Sequence, residues 1–488
     1  MRLLKLAAFA LVTAGPLGAQ SVPATLSLED AISLARKNNP TYLQALNTQH
    51  RAGNAVRNAY GAFLPSANTS FGAGYRQGKP QNFAGVSIGS NSDLLSSSWS
   101  LGFSMGISAN TFANLRRSQQ NEEAADADTR AAEQNLVSAV TQQYLLVLQT
   151  EARATLQDSL VVSNQLQLDL ARAKAGVGSA TSLDVMRAEV AVGQQRVAAL
   201  RARNLADVAI LQLFQQIGVP KPDSVTLTSN FQVSEPTMTV KSLLDMAEQS
   251  NPTLASLRRR EDAAHTSYRA AQGAYLPSVS ASASFGGFAQ KYKDPNYLVN
   301  QAAGQAAASR ANCFTTDSLR VGAGMSSIAA QCSAIQFTDA QADALRASND
   351  AFPFRFTSNP YNLSLGISLP LFDGFSRETQ VQNASADRMD ASYRVRDEQL
   401  VLTASVTSAW TTLVANYRAF RLQEQNAAAA RTALQLAQER YRVGLNSLVD
   451  LQQARSDYAT AETDRIDALY EFHRSFAALE NAVGRPLR

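Results

Sequence analysis

Residues 98–107 read Ser98-Trp99-Ser100-Leu101-Gly102-Phe103-Ser104-Met105-Gly106-Ile107, an alternation of large apolar and small polar side chains. A period of two at this length marks a β-strand with one apolar and one polar face. The stretch 361–369 repeats the pattern: Tyr361, Leu363, Leu365, Ile367 and Leu369 alternate with Asn362, Ser364, Gly366 and Ser368. Weaker partner strands begin at Ser66 and Ser278, where Ser278, Ser280, Ser282 and Ser284 share a face. Strands of about ten residues can cross a bilayer when tilted, the apolar face toward lipid and the Ser/Gly face toward a lumen. An ordinary half-buried sheet under helices produces the same pattern. In lipid, however, an open edge leaves backbone groups unpaired, and four strands cannot close a barrel. A membrane sheet therefore requires several chains: two would give an interior filled by side chains, three a channel.

Outward from the strands the period lengthens. From about 113 to 175, and again from about 377 to 442, no proline interrupts a helical pattern. Val406, Trp410, Leu413, Tyr417 and Phe420 step by four and three, a heptad seam that Val140, Tyr144 and Val147 begin in the first half. At 1.5 Å per residue, each such helix would be a rod of about 95 Å. Returning helices span about 182–217 and 448–483. The first helix starts at a Ser27/Asp30 capping box, is interrupted near Asn39-Pro40 and ends near Ala62. Stacked end to end, the two shorter helices of each half match one long one.

The halves are copies. Asn39-Pro40 returns as Asn251-Pro252, and Gly61-Ala62-Phe63-Leu64-Pro65-Ser66 as Gly273-Ala274-Tyr275-Leu276-Pro277-Ser278. Val177-Gly178 with Leu183-Asp184 returns as Val443-Gly444 with Val449-Asp450, and Gly218-Val219-Pro220 as Gly484-Arg485-Pro486. This self-similarity divides the chain into a first repeat over 20–220 (helix, two strands, long helical hairpin), a linker over 221–240 and a second repeat over 241–488. The spacing widens between Pro277 and Tyr361, giving the second copy an insertion of about 48 extra residues within about 292–356.

Composition narrows the function. In 488 residues, 44 Lys+Arg against 40 Asp+Glu leave +4, too little for a nucleic-acid partner. Three histidines, none within a helical turn of another, and two cysteines make a metal site improbable, and no cofactor is expected. Arg2 and Lys5 precede an apolar run from Leu6 to Val12 and small residues at Gly18-Ala19, which reads as a signal peptide over 1–19. Beyond it no run of about 18 apolar residues offers a membrane-spanning helix. Gly85-Val86-Ser87-Ile88-Gly89 matches a nucleophile-elbow pattern, but no helical pattern follows it, so the context an esterase requires is absent. An enzyme is not expected. A periplasmic coiled-coil scaffold without a channel is the remaining alternative.

In these segments the chain resembles the TolC-like outer-membrane efflux proteins. The resemblance covers nearly all of the mature sequence and is carried by the twin Asn-Pro and Leu-Pro-Ser segments. Leu369-Pro370-Leu371-Phe372-Asp373-Gly374 and Arg440-Tyr441-Arg442-Val443-Gly444-Leu445 followed by Leu448-Val449-Asp450 add to it. It implies an α+β membrane protein: a tandem-repeat protomer in a homotrimer, whose 12-stranded transmembrane β-barrel continues into a long periplasmic α-helical barrel, with an equatorial region around 221–240. The implied function is a passive exit duct in the cell outer membrane, serving tripartite efflux or type I secretion. Implied partners are outer-membrane lipid, a periplasmic adaptor and an inner-membrane RND or ABC transporter.

The resemblance also implies site residues. An aspartate at the Asp450 position lines the family's periplasmic constriction, and tip tyrosine, arginine and aspartate residues hold it shut. Tyr441, Asp184 and Asp450 match, whereas Gln453 stands for a second aspartate and Asn446 for the arginine; Lys174 and Arg442 are the cations at hand to substitute. Adaptor contact is expected at Gly178, Thr181, Gly444, Leu445 and Ser447. The local reading of the same residues is helix stop and start: a glycine C-cap, then Thr181 or Ser447 capping with Asp184 or Asp450. Both strands flanking the insertion lead from periplasmic helices, so the insertion, like 76–97, is expected to be extracellular. Cys313 and Cys332, in that oxidising setting, are expected to form a disulfide.

Overall fold

The computed structural model describes residues 24–79, 81–83, 86–88 and 92–487; the expected signal peptide lies outside them. The first half contains β1 (Thr25–Leu26), α1 (Leu28–Asn38), α2 (Pro40–Gly61), β2 (Ser66–Arg76), β3 (Gln81–Phe83), β4 (Val86–Ile88), β5 (Leu94–Ile107), α3 (Ala109–Gly176) and α4 (Ser182–Ile217). After β6 (Thr226–Leu227) come α5 (Val240–Ser250), α6 (Pro252–Gly273), β7 (Ser278–Tyr292), α7 (Tyr297–Gly322), α8 (Ala329–Ala334), α9 (Asp339–Asn349), β8 (Thr357–Ser358), β9 (Asn362–Ser368), α10 (Ser376–Arg442) and α11 (Leu448–Val483). Two compact units result, and each draws on both halves. One comprises the chain up to Ala55, Arg117–His265 and Ser385 onward; the other comprises Val56–Arg116 and Thr266–Ala384.

The first unit is helical. Its 117–176 part of α3 would extend about 90 Å at the α-helical rise. Its two largest apolar clusters lie where the helices pair: Leu136, Val140, Tyr144 and Val147 pack on Leu213, Phe214 and Ile217, and Leu402, Val406 and Leu413 pack on Phe472, Phe476 and Leu479. The heptad seams thus face the returning helices. The 221–240 segment contributes β6, which pairs in parallel with β1, and the Tyr144 hydroxyl fixes this corner by donating to the Leu26 carbonyl at 2.8 Å and accepting from the Ser229 amide at 3.2 Å.

The twin Asn-Pro and Gly-x-Pro segments form two equivalent joints. Asn39 ends α1, since Pro40 cannot continue its ladder, and its Oδ1 accepts from the Tyr42 amide at 3.0 Å while its Nδ2 donates to the Gln216 carbonyl at 2.7 Å. Asn251 repeats this with the Leu254 amide at 3.0 Å and the Ala482 carbonyl at 3.3 Å. The left-handed caps Gly218 (φ 86°) and Gly484 (φ 87°) abut the joints; a Cβ on Gly218 would lie 2.5 Å from the Asn38 carbonyl oxygen. The chain therefore docks the end of α4 on the α1/α2 break, and the end of α11 on the α5/α6 break.

The second unit holds an antiparallel sheet in the order β2-β5-β7-β9, with β8 also on β7. At 14 and 15 residues, β5 and β7 exceed the expected length. By contrast β9 is only 7 residues, leaving Tyr361 and Leu369 outside it, because Pro360 and Pro370 flank it and offer no ladder donor. Between β7 and β8 the insertion folds as α7, α8 and α9. Asn349 pins its base to the Tyr292 amide (2.7 Å) and carbonyl (2.8 Å), and a Cys313–Cys332 disulfide, Cα–Cα 5.4 Å, ties α7 to α8. Ser87 lies in the β3–β4 hairpin, not on a strand-to-helix elbow; Gly85 and Gly89 are outside the described residues.

Candidate functional site

Both helical hairpins of the first unit end in the same motif. In α3 the Ser179 amide donates to the Lys174 carbonyl (2.8 Å) and Gly178 takes φ 78°; in α10 the Leu445 amide donates to the Arg440 carbonyl (2.8 Å) and Gly444 takes φ 82°. Each is a glycine stop satisfying the last carbonyls. The next helix starts on a reciprocal cap. Asp184 N–H donates to the Thr181 hydroxyl at 3.2 Å, while the Asp184 carboxylate accepts from Thr181 N at 3.0 Å and its hydroxyl at 2.7 Å. Ser447 and Asp450 do the same at 3.1, 3.0 and 2.8 Å. The Thr181 bonds hold the Asp184 carboxyl below the usual carboxylate range. Both aspartates complete a capping box at a hairpin tip, with apolar Val177, Leu183, Val443, Leu445 and Val449 exposed around them.

The two hairpins are joined at a buried tyrosine. Tyr441 packs with Leu434, Ala437, Leu448 and Leu451, and Leu170 of α3 packs against this cluster. Lys174 Nζ donates to the Tyr441 carbonyl at 2.8 Å and lies 4.0 Å above the ring centroid. Burial raises the Tyr441 hydroxyl's pKa, the Asp184 charge pushes the same way, and the nearby Arg455 charge opposes them. Of the two candidate cations, then, Lys174 reaches the tyrosine, whereas Arg442 pairs with Glu439 on its own helix at 3.1 Å. Gln453 bonds Asp457 at 2.8 Å, along α11. Asn446 is half-buried in the turn before Ser447.

Sequence reasoning missed Arg455. Its Nη1 donates to Asn164 Oδ1 at 3.0 Å and its Nη2 to Gln167 Oε1 at 3.5 Å, a second tie between α11 and α3, and desolvation depresses its pKa. A signal was present: Leu448, Leu451, Arg455 and Tyr458 step by three, four and three, placing an arginine on a buried stripe.

The sheet of the second unit offers a different kind of surface. Across the strands Ser66, Ser104, Ser282 and Ser364 form one row and Asn68, Gly102, Ser284 and Asn362 the next. Hydroxyl pairs Ser66–Ser104 (2.8 Å), Ser70–Ser100 (2.8 Å) and Ser282–Ser364 (2.6 Å) run along this face. It is small and uncharged over these rows. Opposite it, Ala67, Phe103, Ala283 and Leu363, then Ile107, Val279 and Ile367, form an apolar face. Within the described residues β2 pairs only with β5 and β9 only with β7, so both sheet edges are open.

A family profile described as outer membrane efflux protein matches residues 31–219 and 243–485. The outer membrane protein TolC of Escherichia coli (strain K12) is 22% identical over 472 residues, 96% of this chain and 84% of that protein. The outer membrane efflux protein BepC of Brucella suis is 23% identical over 359 residues, 73% of this chain and 64% of that protein. In fold, the Campylobacter jejuni CmeC outer membrane channel is similar with a TM-score of 0.69 at 14% identity, covering 94% of this chain and 85% of that one.

Proposed function

This chain belongs to the outer membrane efflux protein family, and from that premise we propose that it is the passive exit duct of an envelope-spanning export machine. It resides in the outer membrane and is a channel component, not an enzyme. Three copies join β2 of one to β9 of the next, closing a twelve-stranded barrel whose Ser/Gly/Asn face lines the lumen and whose apolar face meets lipid. The observation that carries this reading is the sheet itself, two-faced and, among the described residues, open at both edges. Unpaired edges in hydrocarbon are not tolerated, and a closed ring of strands removes them.

The helical hairpins form a periplasmic tunnel, and their exposed tips at Gly178, Thr181, Gly444, Leu445 and Ser447 receive a periplasmic adaptor. The adaptor couples the duct to an inner-membrane transporter of the RND or ABC class, in tripartite efflux or type I secretion. The insertion and the 76–97 hairpin lie outside the cell. The tip cluster is the gate: Lys174 and Tyr441 hold the hairpins together, Asp184 carries its cap near the tyrosine, Asn446 stands in the turn before Ser447, and Asp450 with Gln453 sets the charge at the tunnel mouth. Three acidic groups near one axis favour cations. The detergent-extracted particle is expected to have the mass of three chains and to conduct ions in a planar bilayer. Asp450→Asn should lower cation selectivity while keeping the cap, because asparagine also accepts at an N-terminus. A stable monomer in buffer without detergent would reject the duct and favour a scaffold.

A further inference from the structure

The connection from β9 to α10, Leu369-Pro370-Leu371-Phe372-Asp373-Gly374-Phe375, displays apolar bulk on a strained backbone. Leu371 is 87% exposed, Phe372 75% and Phe375 65%. Gly374 and Phe375 both take positive φ, 69° and 68°, and Phe375 is the single non-glycine residue to do so among the described residues. A bulky L-residue in this region is an outlier that persists only where surrounding contacts impose it. Those contacts come from Arg377, itself buried. Its Nε donates to Asp373 Oδ2 at 2.9 Å, its Nη1 to the Pro370 carbonyl at 2.6 Å, and its guanidinium lies 4.8 Å from the Tyr275 ring centroid. The clamp folds the charge beneath the loop and leaves the hydrocarbon outside. Phe372 and Phe375 meet edge to face at 5.6 Å, so the rings form one protruding unit.

We propose that this loop is a membrane foot: Leu371, Phe372 and Phe375 insert into the headgroup and acyl boundary of the outer membrane's periplasmic leaflet and fix the depth of the strand-to-helix junction. The proposal rests on the duct reading above, and the occupant follows from continuity. Leu363, Leu365, Ile367 and Leu369 occupy alternate positions on the apolar side of β9 and beyond it, and Leu371 extends that series past the strand end. At this point the chain leaves the sheet for α10, where a bilayer boundary would fall and where aromatic rings are favoured. Arg377 and Asp373 act as positioning residues, setting the loop without touching lipid.

The chain's two cysteines are joined to each other, so an added cysteine carries a unique spin label. Labels at Leu371→Cys and Phe372→Cys, in the full protein reconstituted into phosphatidylethanolamine/phosphatidylglycerol vesicles, are compared with Leu365→Cys on the strand and Val177→Cys at the tip. Both loop labels are expected to follow Leu365, accessible to oxygen and shielded from a water-soluble nickel chelate. In an Arg377→Met background they should shift toward the nickel accessibility of Val177, and Arg377→Lys should restore part of the shielding. Loop labels that read like Val177 in the parent protein overturn the foot while Leu365 still upholds the duct. Labels shielded from both reagents and broadened by neighbouring spins overturn it in favour of packing against a second copy. Nickel access at Leu365 itself would remove the duct reading and the foot together.

Discussion

Replacing Lys174 by methionine isolates the tie between the two hairpin tips, because methionine keeps most of the stem and removes only the ammonium. The lost group makes a 2.8 Å hydrogen bond to the Tyr441 carbonyl and stands 4.0 Å over its ring. A hydrogen bond to a charged group contributes about 1.5–3 kcal/mol and a partly desolvated cation–π contact about 1–2 kcal/mol. One ammonium serves both and must be desolvated to do so, so the net loss is expected near 2 kcal/mol per tip. At about 1.4 kcal/mol per tenfold, that shifts the ratio of closed to open tips by about thirtyfold. Reconstituted in planar bilayers without adaptor, Lys174→Met should therefore leak, spending far longer in a conducting state than the parent channel. Tyr441→Phe is the internal comparison: it retains both the carbonyl and the ring that Lys174 engages, and loses only the hydroxyl. It should leak much less. Equal leak in Lys174→Met and the parent, at unchanged particle mass, would refute the tie, as would a Tyr441→Phe channel leakier than Lys174→Met.

Three further outcomes are expected. Gly218→Ala forces a side chain into φ 86° and to 2.5 Å from a backbone carbonyl, so it should destabilise by about 2–4 kcal/mol; Gly178→Ala, at φ 78° with nothing within 4 Å, should lose only about 1 kcal/mol. Equal falls in thermal midpoint would contradict the joint described for α4. Reducing the Cys313–Cys332 disulfide, which spans 19 residues, should remove about 3 kcal/mol of loop-closure stabilisation. Proteolysis within α7–α8 should follow, with conductance retained, and unchanged protease resistance would count against it. Because the Thr181 bonds depress the folded pKa of Asp184, the cap's contribution is present above about pH 4 and is lost as pH falls through the lower folded value. A spin label at Val177 should gain mobility in that acid range, and Asp184→Asn should abolish the pH response.

Local chemistry made the element pattern legible in the sequence. Capping boxes at Ser27, Thr181 and Ser447 and glycine stops at Gly178 and Gly444 act within a few residues, so α4 and α11 are readable from the order of residues alone, and the alternation at 98–107 marks β5. The insertion's helices are equally local, with a Thr338/Gln341 capping box opening α9, but internal repetition marks only duplicated segments and this stretch has no copy.

Contacts between distant parts of the chain were not legible. Asn39 and Asn251 stood out as repeats, yet their partners, the carbonyls of Gln216 and Ala482, lie 177 and 231 residues away. Lys174 and Arg442 were equal candidates by sequence; the rotational phase of α3 against α10 put Lys174 on Tyr441, while Arg442 found Glu439 on its own helix. Arg455 and Asn164, 291 residues apart, meet for the same reason. By itself, the sequence determined which residues form helices and strands and which side of each is apolar, because caps, prolines and periodicity are short-range. Only the tertiary structure decided which of those faces meet, because the phase and axial offset of long packed helices depend on side-chain interlocking across the whole unit.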